Sequence, residues 1–114
     1  MHLYLGIDFG TTGVRTSVIN EKKEELINYN VSIESPISKG SLVYQNPNLW
    51  WEALLKNFHY LKLKINLEDI KRLSIDGTSG TVLITNRLGD PIDHALMYND
   101  CLLYTSPSPR DSIA

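Results

Sequence analysis

Leu5-Gly6-Ile7-Asp8-Phe9-Gly10-Thr11-Thr12-Gly13-Val14-Arg15 is the stretch that decides the fold. An apolar run, Leu3 to Ile7, ends on the carboxylate of Asp8. The chain turns through Gly10-Thr11-Thr12-Gly13, and a second apolar run leaves from Val14 to Ile19. Two such runs joined by a glycine-bounded turn read as a β-hairpin. A carboxylate at a strand end suits a hydrated Mg²⁺, because hard divalent cations take oxygen ligands. Gly10 and Gly13 let backbone approach a ligand closely, and the N–H groups of such a turn can form an anion nest. Thr11 and Thr12 add hydroxyl donors. Two readings stand: a phosphate-binding hairpin, or a plain tight turn with Asp8 an incidental strand-end residue. A Walker A loop and a dinucleotide fingerprint are excluded, because no Gly-Lys-Ser/Thr follows and a strand, not a helix, leaves the turn.

The rest of the composition narrows the setting. At 114 residues the chain can form one small domain, and 42% hydrophobic with 21% charged residues places it among globular chains. A net charge of −2 gives no reason to expect nucleic acid or an anionic membrane as partner. Cys101 is the sole cysteine, so no disulfide framework forms, and His2, His59 and His94 lack metal-ligand spacing. No stretch approaches the ~20 apolar residues of a membrane span. Met1-His2 leads straight into a strand without a basic leader, so the expected location is cytoplasmic.

Further along, Glu24 to Ser32 reads as a third strand burying Leu26, Tyr29 and Val31, and Glu34 to Ser41 reads as loop. Asn46 then suits an N-cap and Pro47 a first helical position. The spacing predicts a helix from about Pro47 to Leu63, with Trp51, Leu54, Leu55, Phe58, Leu61 and Ile65 on its apolar face. Ile70 to Asp76 is a predicted strand with Leu73 and Ile75 on one side, and Thr81 to Thr85 another. The expected order is β-β-β-α-β-β. Asp76-Gly77-Thr78-Ser79-Gly80 repeats the chemistry of Asp8-Phe9-Gly10-Thr11-Thr12: an acid, glycine and hydroxyls at a strand end. Ligands bind at strand ends in many α/β sheets, so both loops can line one cleft.

The layout of the first hairpin resembles the phosphate hairpin of the actin, hexokinase and heat-shock chaperone superfamily. Three segments in order make the resemblance narrower: Leu5 to Arg15; Gln45-Asn46-Pro47-Asn48-Leu49-Trp50-Trp51; and Ser74 to Leu83, followed by Leu96-Met97-Tyr98-Asn99-Asp100. Together they resemble the FGGY carbohydrate kinases, which phosphorylate sugars and polyols from ATP. The resemblance implies an α/β fold: the actin-like ATPase (ribonuclease H-like) N-terminal domain, incomplete here. Asp-Gly-Thr-Ser-Gly-Thr-Val-Leu is most similar to the cyanobacterial and plant D-ribulose kinases. It implies a ketopentose substrate, D-ribulose first and D-xylulose second.

Residue roles follow from the resemblance. Asp8 would sit near Mg²⁺, held through water, and near the sugar hydroxyl that accepts phosphate. Gly10, Thr11 and Thr12 would hold the β/γ-phosphates of ATP. Arg15 matches a basic position by the phosphate path, although a solvent-facing strand arginine reads equally well. Ser79, supported by Gly77 and Thr78, and Asp100 match sugar contacts. Asp76 is read as ordering its own turn, Trp50 and Trp51 as packing at the helix start, His94 as a surface loop residue and Tyr98 as a packing residue. The family's general base, an Asp, and its adenosine pocket lie beyond residue 114. This chain would then hold no catalytic base, need the missing C-terminal part as its partner, and be inactive alone.

Residues 1–100 thus read as the N-terminal part of the family's first domain. From Cys101 to Asp111 the composition shifts to Ser and Pro. That run can be back-translated into a string resembling the transposase adaptor used in sequencing libraries, so 101–114 is read as a non-native tail. Two other functional readings compete. A chaperone or actin-like ATPase fragment would share the hairpin but usually lacks the Trp-Trp helix. A non-catalytic sugar- or phosphate-binding module would need a complete core of its own.

Overall fold

In the computed structural model, residues 1–78, 81 and 83–97 are described. β1 (Leu3–Phe9) buries Leu3, Leu5 and Ile7 and turns Tyr4, Gly6 and Asp8 to the other face, the period-2 alternation of a half-buried strand. β2 (Gly13–Ile19) buries Val14, Thr16 and Val18 on the same side. β3 (Glu25–Ser32) adds Ile27, Tyr29 and Val31, all partly buried. Asn20 makes the β2–β3 turn: its Oδ1 accepts from the N–H of Lys22 and of Glu24, and Lys23 takes a left-handed φ of 65°. Leu26, expected inside, is 46% exposed, because the register with β2 gives the inner face to its neighbour Ile27.

The segment read as loop carries β4 (Ile37–Lys39), which forms an antiparallel hairpin with β5 (Leu42–Gln45). Gly40, at φ 61°, supplies the left-handed residue that this short turn needs. α1 follows (Asn48–Lys64), offset by one residue at each end from the sequence expectation. A 3₁₀ turn (Leu67–Asp69), capped by Asn66, leads into β6 (Ile70–Gly77). The predicted strand over Thr81–Thr85 is absent among its described residues, where only an isolated bridge joins Thr85 to Pro91. A short β7 (Ala95–Leu96) pairs with β5 instead.

Two compact units result. The first, Met1–Glu34 with Asn48–Thr78, is a four-stranded sheet in the order β3-β2-β1-β6, with β6 parallel to β1 and the other neighbours antiparallel. The second comprises Ser35–Pro47 and the described part of Ser79–Ala114, with the sheet order β4-β5-β7 and buried Gln45, Ala95 and Met97.

In the first unit α1 packs on β2 and β3 through Ala53, Asn57 and Leu61, a stripe at i, i+4 and i+8, with Leu54 and Phe58 half-buried beside it. Trp51 (61%) and Leu55 (51%), expected on the apolar face, are exposed. The helix is rotated because a polar residue anchors it. The fully buried Thr16 hydroxyl donates to Asn57 Oδ1 (2.8 Å), while Asn57 Nδ2 donates to the carbonyls of Val14 (3.0 Å) and Ala53 (2.9 Å). A buried amide with its hydrogen bonds made is tolerated in a core, and the small Ala53 lets the helix come close.

Candidate functional site

β1 and β6 run in the same direction and end level with each other, so their following loops leave from the same edge. The register pairs Asp8 with Asp76 and Phe9 with Gly77. The same Asp8 pairs with Arg15 on β2, and Arg15 with Asn30 on β3. Residues paired across strands share a face. Asn30, Arg15, Asp8 and Asp76 therefore form one row on the face away from α1, all exposed. Two carboxylates flank each other on that row, with a guanidinium on the far side of Asp8.

The hairpin between β1 and β2 is held from within. Gly10 N–H donates to the Gly13 carbonyl (2.8 Å), and Ile33 N–H donates to the Thr12 carbonyl (2.9 Å). The nest expected from the sequence thus loses one donor, because Gly10 N–H points into its own turn. Gly13 has a reason for being glycine that the turn motif did not show. A Cβ there would lie 2.6 Å from Asn30 Oδ1 and 3.1 Å from the Val31 carbonyl. The closeness of β3 to the turn requires it.

The residue after β6 is tied to the end of β1. Thr78 Oγ1 donates to the Phe9 carbonyl at 3.4 Å, a weak bond between the first residue past β6 and the last of β1. Asp76 Oδ1 accepts from Gly77 N–H (2.9 Å), in keeping with the reading that it orders its own turn. Thr78 was expected near sugar, and its link to Phe9 was not foreseen; a Thr placed two residues past a strand-end acid was the available signal. The expected sugar contacts Ser79 and Asp100, together with Tyr98 and the 101–114 tail, lie outside the described residues. Of the two tryptophans, Trp50 is partly buried while Trp51 faces solvent, so the expected packing holds for only one. His94 is half exposed on the second unit, against Asp93 (3.6 Å) and edge-on to Tyr44.

Among the described residues no group of three or more His, Cys, Asp or Glu gathers to hold a metal. A site with one or two exposed carboxylates suits a cation that keeps much of its water, which is how Mg²⁺ binds. No described helix is long and apolar enough to cross a membrane.

Residues 3–104 match the model of the FGGY family of carbohydrate kinases, N-terminal domain. The chain belongs to that family. It is 28% identical over 100 residues to xylulose kinase of Staphylococcus xylosus, covering 88% of this chain and 21% of the relative. It is 26% identical over 117 residues to xylulose kinase of Escherichia coli K12, covering 97% of this chain and 24% of the relative. Among solved structures, a xyloylose kinase from Brucella ovis superposes with a TM-score of 0.83 at 19% identity, over 98% of this chain and 24% of that one. The fold is therefore the mixed α/β, actin-like ATPase fold of these kinases. The chain spans a fifth to a quarter of the length of the relatives it matches.

Proposed function

We propose that this chain supplies the phosphate-facing and part of the sugar-facing wall of an ATP-dependent ketopentose kinase. The observation that carries the reading is the level ending of β1 and β6, with Asp8 beside Asp76 and Thr78 bonded to Phe9. Phosphoryl transfer is mainly positioning and charge stabilisation. When bound, ATP supplies the phosphoryl group and Mg²⁺ spreads its charge. Asp8 would hold that ion through water, and Gly10, Thr11 and Thr12 would line the β/γ-phosphates, with Thr12 at the exposed tip. Arg15, next to Asp8 on the same face, adds a cation on the phosphate side. Gly77, Thr78 and Ser79 shape the sugar loop, and Asp100 is assigned a sugar hydroxyl. The Asp76–Leu83 segment favours D-ribulose, and the xylulose kinases among its relatives keep D-xylulose second.

The general base and adenosine pocket are assigned to the remainder of a full-length kinase, so the 114-residue chain alone is expected to turn over no sugar. The test is a coupled ADP-release assay of the full-length protein on D-ribulose, D-xylulose and glycerol. Turnover is expected on a ketopentose. Asp8→Asn should lower kcat about 10²-fold or more, the scale of removing one electrostatic contact to the reacting group. Turnover on glycerol alone, or an Asp8→Asn variant with unchanged kcat, would overturn the reading.

A further inference from the structure

On the reading of the β1–β2 hairpin as a phosphate site, we infer that Asn57 of α1 is a positioning residue for phosphoryl transfer, fixing that hairpin from beneath through the Val14 carbonyl. Asn57 is fully buried and so touches no ligand. It acts on the backbone that leaves the turn, where three consecutive carbonyls are each held by a different part of the unit. The Thr12 carbonyl accepts from Ile33 N–H (2.9 Å), just past β3. The Gly13 carbonyl accepts from Gly10 N–H (2.8 Å) across the turn itself. The Val14 carbonyl accepts from Asn57 Nδ2 (3.0 Å), which lies 43 positions further along the chain. The first two donors are backbone groups that any non-proline residue supplies. The third is a side chain, so this is the tie that residue identity controls.

The direction of that side chain is set by chemistry. Carbonyls only accept, so the amide must turn Nδ2 toward Val14 and Ala53, and its Oδ1 then meets the Thr16 hydroxyl at 2.8 Å. One amide thus holds β2 at two residues, Val14 and Thr16, and resists sliding of the strand along α1. Stability alone does not call for an amide here. Ala53 and Leu61 on the same stripe are apolar, and replacing a hydrogen-bonded pair by apolar groups of the same shape is close to neutral. Apolar packing lacks direction, whereas a buried polar network with every member satisfied rigidifies the structure around it. Rigidity matters at this end of β2, because Gly10, Thr11 and Thr12 come just ahead of the anchored residues. A misplacement of about 1 Å in a group that positions substrate can cost about 10²-fold in rate.

Variants of the full-length kinase test this, with circular dichroism to confirm that each is folded at the assay temperature. Asn57→Leu with Thr16→Val removes the donor to Val14 and leaves no unpaired hydroxyl. Asn57→Ala with Thr16→Val does the same without adding volume to the core. In both, kcat/KM for ATP should fall about tenfold or more. KM for the ketopentose should stay unchanged, and so should binding of AMP, which lacks the β/γ-phosphates. Leu61→Ala is the control, since it weakens the same face of α1 without touching the hairpin carbonyls. It should lower the melting temperature and keep the wild-type kcat/KM for ATP. An unchanged kcat/KM for ATP in both double variants, where Asp8→Asn lowers kcat, overturns the role of Asn57 and leaves the phosphate site standing. An equal fall in Leu61→Ala, or AMP binding that weakens along with ATP, also overturns it, because the effect would then be general loosening. An Asp8→Asn enzyme with unchanged kcat removes the phosphate reading, and the role of Asn57 with it.

Discussion

Asn57 does more for this fold than any charged residue in it. Three hydrogen bonds converge on its buried amide: two join α1 to the Thr16 hydroxyl and the Val14 carbonyl of β2, and the third returns to the Ala53 carbonyl within α1. Asn57→Ala leaves the buried Thr16 hydroxyl without an acceptor, a loss of about 1–3 kcal/mol. Amide exchange across β2 should register it as faster opening. Replacing both partners, Thr16→Val with Asn57→Leu, should cost less than the sum of the single changes, because no unpaired polar group remains. Additive losses would show that the two side chains do not act as a pair. A second change at this scale concerns Gly13. Its added Cβ would meet the Val31 carbonyl at 3.1 Å, and backbone cannot rotate away as the Asn30 side chain can. Gly13→Ala should therefore lower stability by about 1–3 kcal/mol. Trimming Asn30 to Ala in the same chain should recover part of that loss and not all of it. The sequence marked Gly13 as special but did not show its closeness to β3, a long-range fact that a turn motif does not carry.

Between elements, the phase of α1 is the clearest case of a pattern misread. Trp51, Leu54, Leu55, Phe58, Leu61 and Ile65 look like one apolar face, and a periodicity argument weights large apolar residues most heavily. Leu61 is buried, and Leu54, Phe58 and Ile65 are partly buried, but Trp51 and Leu55 face solvent, and the buried stripe is completed by Ala53 and Asn57. One small residue and one polar residue were discounted because their burial depends on Thr16, 41 positions earlier in the chain. Leu61 lies on both faces and Leu55 on the predicted one alone, so Leu55 is the position that tests the phase. Leu61→Ala should cost about 2–5 kcal/mol, the range for a buried leucine. Leu55→Ala should change stability by no more than about 0.5 kcal/mol, as at most exposed positions. A large loss at Leu55 in chemical denaturation would restore the predicted face. The hairpin and the β6 strand were legible because each signal is local: alternation, glycine and a terminal acid within a few residues. The β4–β5 hairpin was not, as β4 is short, fully exposed and has no alternation to detect.

For the molecule as a whole, the balance between covered and uncovered apolar surface sets the behaviour. The first unit closes a core of Leu3, Leu5, Ile7, Val14, Val18, Ala53 and Leu61 under one helix. Outside it, Leu73 and Ile75 on β6 and Leu55 and Leu63 on α1 stand more than half exposed, as do Ile84, Leu88 and Ile92 in the second unit. Small domains bury a smaller share of their surface than large ones, so each uncovered residue weighs heavily on stability. Leu73 and Ile75, two residues apart on one face of β6, mark a place where another element belongs. The chain at low micromolar concentration should therefore bind a hydrophobic dye in its folded state and melt over a broad temperature range. A single sharp transition, with no dye bound, would mean that the hundred or so residues complete their own core. That outcome would return the non-catalytic binding module to consideration, because such a module must fold without the rest of a kinase.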